Sequence, residues 1–252
     1  MGPMFVRRLP LLTVLTFALL GKTAFGAIQL PKNMNQSDRS EALRIIGLGT
    51  SAKILSDPYP LGGYAGFEAG ISIENLHAGD LGQLGSGLAS PQQDVAFPRL
   101  TLGKGLYNDI DIFLHFTPYN RQDELSHYGG IARWGFYQAK FLPLSLSVLA
   151  HMNSGNFSNQ LTTRSYGLDL IGGINVENVS LFAGGGMVEA TGVFVGGPNG
   201  ITDGNAGGTS TETVRGTHTV IGTNVHISNL FLTVQIDRYT QPVYSGKIGV
   251  RF

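Results

Sequence analysis

The last nine residues, Tyr244-Ser245-Gly246-Lys247-Ile248-Gly249-Val250-Arg251-Phe252, alternate with a period of two. Tyr244, Ile248, Val250 and Phe252 fall on one face; Ser245, Lys247 and Arg251 fall on the other. A strand with one apolar and one charged face separates two different surroundings. The same alternation recurs upstream. Ile110, Ile112, Leu114 and Phe116 oppose Asp111, Phe113, His115 and Thr117. Leu144, Leu146, Val148 and Ala150 oppose Ser145, Ser147, Leu149 and His151, and Leu230, Leu232, Val234 and Ile236 oppose Phe231, Thr233, Gln235 and Asp237. A soluble sandwich would also alternate, so the pattern alone leaves open which face is wet.

The N-terminus narrows the choice. Arg7 and Arg8 precede an apolar run over residues 9–20, broken only by Pro10, and Ala24 and Gly26 supply small residues before Ala27. This predicts a signal peptide over 1–26. The run is well short of the roughly 20 residues that a spanning helix needs. There is no cysteine, which excludes a lipid anchor at the cleavage site and any disulfide. No later apolar run reaches spanning length, so a membrane chain of this kind must close a ladder of strands, because lipid offers the backbone no hydrogen bonds. The predicted fold is all-β: a closed antiparallel transmembrane barrel over 61–252 of about ten strands, with eight or twelve as alternatives.

Ten strand-like segments fall at 62–74, 94–105, 109–118, 128–140, 143–152, 163–175, 179–194, 213–227, 230–239 and 244–252. Long connections (75–93, 119–127, 153–162, 195–212) alternate with short ones (106–108, 141–142, 175–178, 228–229). Barrels of the outer membrane show this rhythm, with long loops outside and tight turns in the periplasm. Only the short connection at 240–243 breaks it. An even strand number predicts both termini in the periplasm.

Residues 27–60 read as a lead-in or plug. Asp38 as N-cap with Glu41 three residues on forms a capping box, and Ala42, Leu43, Ile45 and Ile46 give a short apolar stripe in a helix near 38–46. Gly47 and Gly49 would end it, and Asp57-Pro58-Tyr59-Pro60 is a rigid approach to the barrel. Two readings follow: a periplasmic segment lying under the rim, or a plug that enters the lumen.

At Phe252 the chain resembles outer-membrane β-barrel proteins of Gram-negative bacteria. Their last strand ends in an aromatic residue with apolar residues at alternate positions, here Tyr244, Ile248 and Val250. The resemblance implies location in that membrane, contact with outer-membrane lipids and lipopolysaccharide, and recognition of the terminal strand by the barrel-assembly machinery. It names no functional family and no extracellular partner.

Strand parity places Glu68, Asp111, Asp169 and Asp237 inside with Arg99, Arg133, Lys247 and Arg251. His115, His151, His218, His226, Asn224 and Gln235 join them. Balanced charges in a narrow lumen predict pairing, since an unpaired buried charge is costly. The predicted function is a narrow pore or a structural, surface-interaction barrel with a charge-paired lumen.

An enzyme is the alternative. His151-Met152-Asn153-Ser154-Gly155-Asn156 is similar to the His-x-Ser-Asn-Gly stretch of outer-membrane phospholipid and lipid A acyl hydrolases, which makes His151 and Ser154 weak catalytic candidates. Their spacing of three puts them on opposite faces of a regular strand, and only a bulge or loop at Asn153 would bring them together. His226-Ile227-Ser228 has the right spacing but lies at a turn. Asp109-Ile110-Asp111 offers paired acids, but no Asp-x-His accompanies them as outer-membrane proteases require, and no palmitoyl-transfer site is recognisable.

No cofactor or metal is predicted. Asp203, Asn205 and their neighbours could offer oxygens to calcium, but without the spaced acids of an EF-hand. Removing Arg7, Arg8 and Lys22 with the leader takes the 17 basic residues to 14 against 17 acids, a net charge of −3. That balance argues against nucleic acid as a partner.

Overall fold

The computed structural model describes residues 28–88, 94–120, 125–139, 141–197, 200–203 and 208–252. The predicted leader over 1–26 lies outside them. Ten antiparallel strands close a barrel: β1 (Phe67–His77), β2 (Asp94–Gly105), β3 (Ile110–Asn120), β4 (Leu125–Gln138), β5 (Leu144–Phe157), β6 (Leu161–Val176), β7 (Val179–Val195), β8 (Thr209–Ile227), β9 (Leu230–Arg238) and β10 (Pro242–Arg251). Each strand pairs with its sequence neighbours, and β10 returns to β1, where Glu68 faces Arg251 and Leu76 faces Val243. Closure leaves no strand edge unpaired.

The boundaries differ from the sequence reading in instructive places. β1 starts five residues later, because Gly62 and Gly63 take positive φ values of 93° and 75° and a short 3-10 turn, Gly63–Ala65, follows. At the other end of the barrel, β5 and β6 run on to a tight connection at residues 158–160, where Ser158 and Asn159 sit in the left-handed region. The long loop expected at 153–162 is therefore strand. The extended connections at this end are β1–β2 and β7–β8. The opposite end has only short links, such as Glu177 with Asn178 and Ser228 with Asn229.

Outward positions form an apolar wall. Leu102, Leu114, Leu168, Leu170, Met187, Ile221 and Ile248 are all exposed. Trp134 and Phe136 contact each other at a tilt on the same wall toward the short-turn end. Such a belt around a closed ladder matches a lipid-facing surface with an aromatic girdle.

Before the barrel, among the described residues, lies one helix, α1 (Gln36–Leu43), which continues as a π-helical turn, Arg44–Leu48. Its capping box is shifted from the expected position. Asn35 is the N-cap, its side chain accepting from the Asp38 amide, and the Asp38 carboxylate accepts from the Asn35 amide. Asp38 is thus the third helical residue rather than the cap. Gly47 does not end the helix; it lies within the π turn, which stops at Gly49.

Candidate functional site: an occupied lumen

The inside of the barrel is filled by the chain's own N-terminal segment. Its path runs from the long-connection end to the short-turn end. At the start, the Ile28 carbonyl accepts from Ser158 Oγ, and Met34 exchanges backbone hydrogen bonds with Ile201 and Asp203. Arg39 bonds Asp203 and Glu212 at 2.9 and 3.0 Å, and the Lys32 carbonyl accepts from the Ser86 amide. These contacts tie residues 28–39 to three connections at one end. Beyond Leu61 the chain enters β1 at the other end, where Phe67 pairs with Phe252. The sequence reading expects both termini at one end of the barrel. The first described residues and Phe252 lie at opposite ends of the barrel, because the segment passes through the lumen before β1 begins.

Apolar packing holds the upper half of this path. Ala42, Leu43, Ile45, Ile46 and Leu48 are buried against Leu76, Val188, Ala190, Phe194 and Val214 of the wall. The fit is close: a Cβ on Gly216 would lie 2.7 Å from Leu48 Cδ1. Below, Ala52, Ile54 and Leu61 pack with Phe113, Ile131, Leu149, Ile171 and Phe182. Here a Cβ on Gly173 would stand 2.3 Å from Pro58 Cβ, so the Pro58 ring occupies the space a side chain would need.

Polar contacts then clamp the segment at two levels. The first is the C-terminal end of the helical stretch, whose carbonyls carry partial negative charge. The Thr50 carbonyl accepts from Arg99 Nη2 at 2.8 Å, His127 Nε2 at 2.9 Å and Asn153 Nδ2 at 3.0 Å. Lys53 Nζ turns back to the Gly49 and Ser51 carbonyls and bonds Glu74 at 3.0 Å. Glu74 also pairs with Arg99 at 2.8 Å. The second clamp lies near the short turns. Arg133 donates to the Asp57 and Tyr59 carbonyls and holds Asp111 at 2.7 Å. The Asp57 carboxylate accepts from Ser180 and His226, and Arg251 donates to the Tyr59 and Pro60 carbonyls.

Of the eight charged residues placed inside by parity, seven are buried; Arg251 is about one-sixth exposed, at 17%. Their pairing differs from a simple match of four acids with four bases. Only Glu68–Lys247 and Asp111–Arg133 pair within that set. Arg99 takes Glu74, and the Arg251 guanidinium is nearest Asp57 at 3.8 Å. Asp169 and Asp237 instead face the two nitrogens of His218, each at 2.9 Å. His151 Nε2 stands 3.1 Å from Asp169 but off the direction of a hydrogen bond. Sequence reasoning missed Lys53, Asp57, Glu74 and His127. The first two belong to the inserted segment, Glu74 sat at the supposed edge of a strand, and His127 lay in a supposed loop.

The hydrolase alternative finds no geometry. β5 is regular across His151–Ser154, with successive residues facing Gly167, Tyr166, Ser165 and Arg164. His151 is buried inside the lumen while Ser154 points to the outer wall. His226 is engaged by Asp57, and Asp111 by Arg133 and the Leu61 amide. Among the described residues no cluster of three or more His, Cys, Asp or Glu could hold a metal ion. Asp203 is engaged by Arg39, while Asn205 lies outside the described residues.

No protein-family model matches the chain, and no curated protein matches it. Solved barrels of similar form include Ail, the attachment invasion locus protein of Yersinia pestis, at 12% identity and a TM-score of 0.35, covering 73% of this chain and 98% of that one. The N-terminal β-barrel domain of Pseudomonas aeruginosa OprF aligns at 10% identity and TM-score 0.38, covering 75% and 99%. The outer membrane protease OmpT of Escherichia coli aligns at 8% and 0.41, covering 75% and 97%. The likeness is confined to general barrel architecture.

Proposed function

We propose that this chain is a sealed barrel of the Gram-negative outer membrane, with a structural and surface-interaction role rather than that of an open pore. The observation that carries the reading is the filled lumen: residues 42–61 pack against apolar wall residues along the upper and lower halves and are clamped by Arg99, Glu74, Arg133 and Arg251. The leader, the terminal Phe252 and the exposed apolar wall support the membrane assignment, with lipids and lipopolysaccharide around that wall. The extended connections support placing that end outside. On this topology residues 28–41, clamped by Ser86, Ser158 and Asp203, form a cap on the cell surface available to an extracellular partner.

Planar-bilayer recording of the refolded mature protein tests the seal. The reading expects no discrete currents from the intact chain. Steady single-channel steps from protein whose Arg39–Asp203 cap is intact would overturn it and restore the narrow pore.

A further inference from the structure

One inward row of side chains crosses seven strands and is polar at every position. From β8 it runs Asn224, Thr233, Lys247, Ser72, Arg99, Thr117 and His127. Asn224 faces Thr233, Thr233 faces Lys247, Lys247 faces Ser72, Ser72 faces Arg99, and Thr117 faces His127. The step from β2 to β3 follows the register of Leu100 with Phe116, one residue short of Arg99 and Thr117. All seven are more than nine-tenths buried.

Barrel strands tilt by about 40°, so a row drawn across them climbs. Six inter-strand steps of about 4.8 Å rise by roughly 18 Å at that tilt. The strand ends show the same climb. Asn224 lies three residues from the short-turn end of β8, and His127 lies two residues from the long-connection end of β4. The row is a spiral track joining the two ends of the barrel beside the inserted segment.

Polar atoms along this track lack protein partners. Asn224 Oδ1, Ser72 Oγ, Arg99 Nε, Thr117 Oγ1 and His127 Nδ1 are buried without a hydrogen bond, and so are Gln235 Oε1 and Ser245 Oγ on the adjacent row. Gln235 faces Ser245, which faces Glu74. A buried polar group without a partner is costly, and water is the usual remedy where several such groups converge. The two charged members are paired: Lys247 with Glu68 and Arg99 with Glu74. The opposite side of the segment is mainly apolar, with Leu43 and Leu48 against Ala190, Phe194 and Val214; Ser165 Oγ and the His151 ring nitrogens are the unpartnered polar atoms there.

We propose that this track carries a continuous file of water between the wall and the inserted segment. The protein would thus pass water from end to end while the seal blocks larger solutes and ions. The inference rests on the sealed-barrel reading, and the two fail differently.

The test is stopped-flow osmotic shrinkage of liposomes holding the full mature protein, with ionic conductance recorded on the same preparation. Water permeability several-fold above protein-free liposomes is expected, without current. Ser72→Leu should return it to the protein-free rate, and Thr117→Val, nearly isosteric, should lower it at least twofold. Heat-modifiable migration on a gel confirms that each variant is folded. Leu168→Val, on the outer wall, should leave water flux unchanged. Permeability equal to protein-free liposomes, or flux untouched by both track variants, overturns the water file. Currents from the intact protein would instead overturn the seal.

Discussion

Glu74 holds the inserted segment and the wall together, and Glu74→Gln measures how tightly. One carboxylate oxygen lies 3.0 Å from Lys53 Nζ and the other 2.8 Å from Arg99 Nη1. All three side chains are buried. The variant keeps shape and volume but leaves two cations facing one neutral amide. Removing one partner of a buried ion pair costs about 3–5 kcal/mol, a hundredfold or more in the folding equilibrium. Lys53→Met should cost less, because Glu74 keeps Arg99. In the double variant Arg99 still donates to the Thr50 and Ser51 carbonyls. The double variant should therefore be more stable than the sum of the single losses implies, a coupling of the kind contacting residues show. Trp134 is the sole tryptophan and lies half-exposed on the outer wall, so its fluorescence during guanidinium unfolding from lipid vesicles reports the transition. A loss under about 1 kcal/mol, the range of a solvated surface pair, would refute the reasoning, because it would mean that Glu74 is solvated like a surface carboxylate rather than held between Lys53 and Arg99.

Leu43→Ala should destabilise the same transition by about 2–5 kcal/mol, since Leu43 is fully buried in the upper core; exposed Leu142→Ala should not move it. Gly47→Cys with Ala190→Cys should form a disulfide on oxidation, since a Cβ on Gly47 would lie 3.1 Å from Ala190 Cβ, within a few tenths of an ångström of the range such bonds need. The chain has no native cysteine to interfere, and mass spectrometry after alkylation reads the result. Deleting Phe252 should lower the amount of assembled barrel in the outer membrane without changing secretion of the chain, as scored by heat-modifiable migration of membrane fractions.

The barrel was legible because a closed sheet with different surroundings on its two faces imposes a period of two on its strands. The segments at 94–105, 179–194 and 230–239 coincide with β2, β7 and β9 to within a residue at each end. Parity then placed Glu68, Arg133, Asp169 and Lys247 inside, since alternation fixes the face of every residue in a regular strand. Partners were not legible. Lys53 meets Glu74 across 21 residues, and Asp57 meets His226 across 169. No local pattern encodes such contacts. The direction of the inserted segment was equally hidden. A short apolar stripe over 42–46 fits a helix under the rim as well as one inside the barrel; its burial against Val188, Ala190 and Val214 decides between them, and the bonds of Arg39 and Met34 at the long-connection end fix its direction.

That direction constrains assembly. In the proposed topology the predicted leader would be removed on the side where the short turns lie, yet Ile28 finishes at the opposite end. The segment must therefore lie within the ring of strands as β1 and β10 close, or thread through it afterward. A ten-stranded barrel is only slightly wider inside than an eight-stranded one, which side chains already fill. A folded domain of 100 residues has a radius of gyration of about 13 Å and cannot follow. A flexible epitope tag placed between the leader and Ile28 should pass, and should bind antibody on intact cells. A stable folded domain in the same place should stay behind. It would hold residues 28–56 out of the lumen, leave Glu74 without Lys53 and Arg99 without the Thr50 carbonyl, and give channel currents that the tagged protein lacks. Surface display of the folded domain over a silent barrel would overturn the threaded path, since no ring of ten strands could have admitted it.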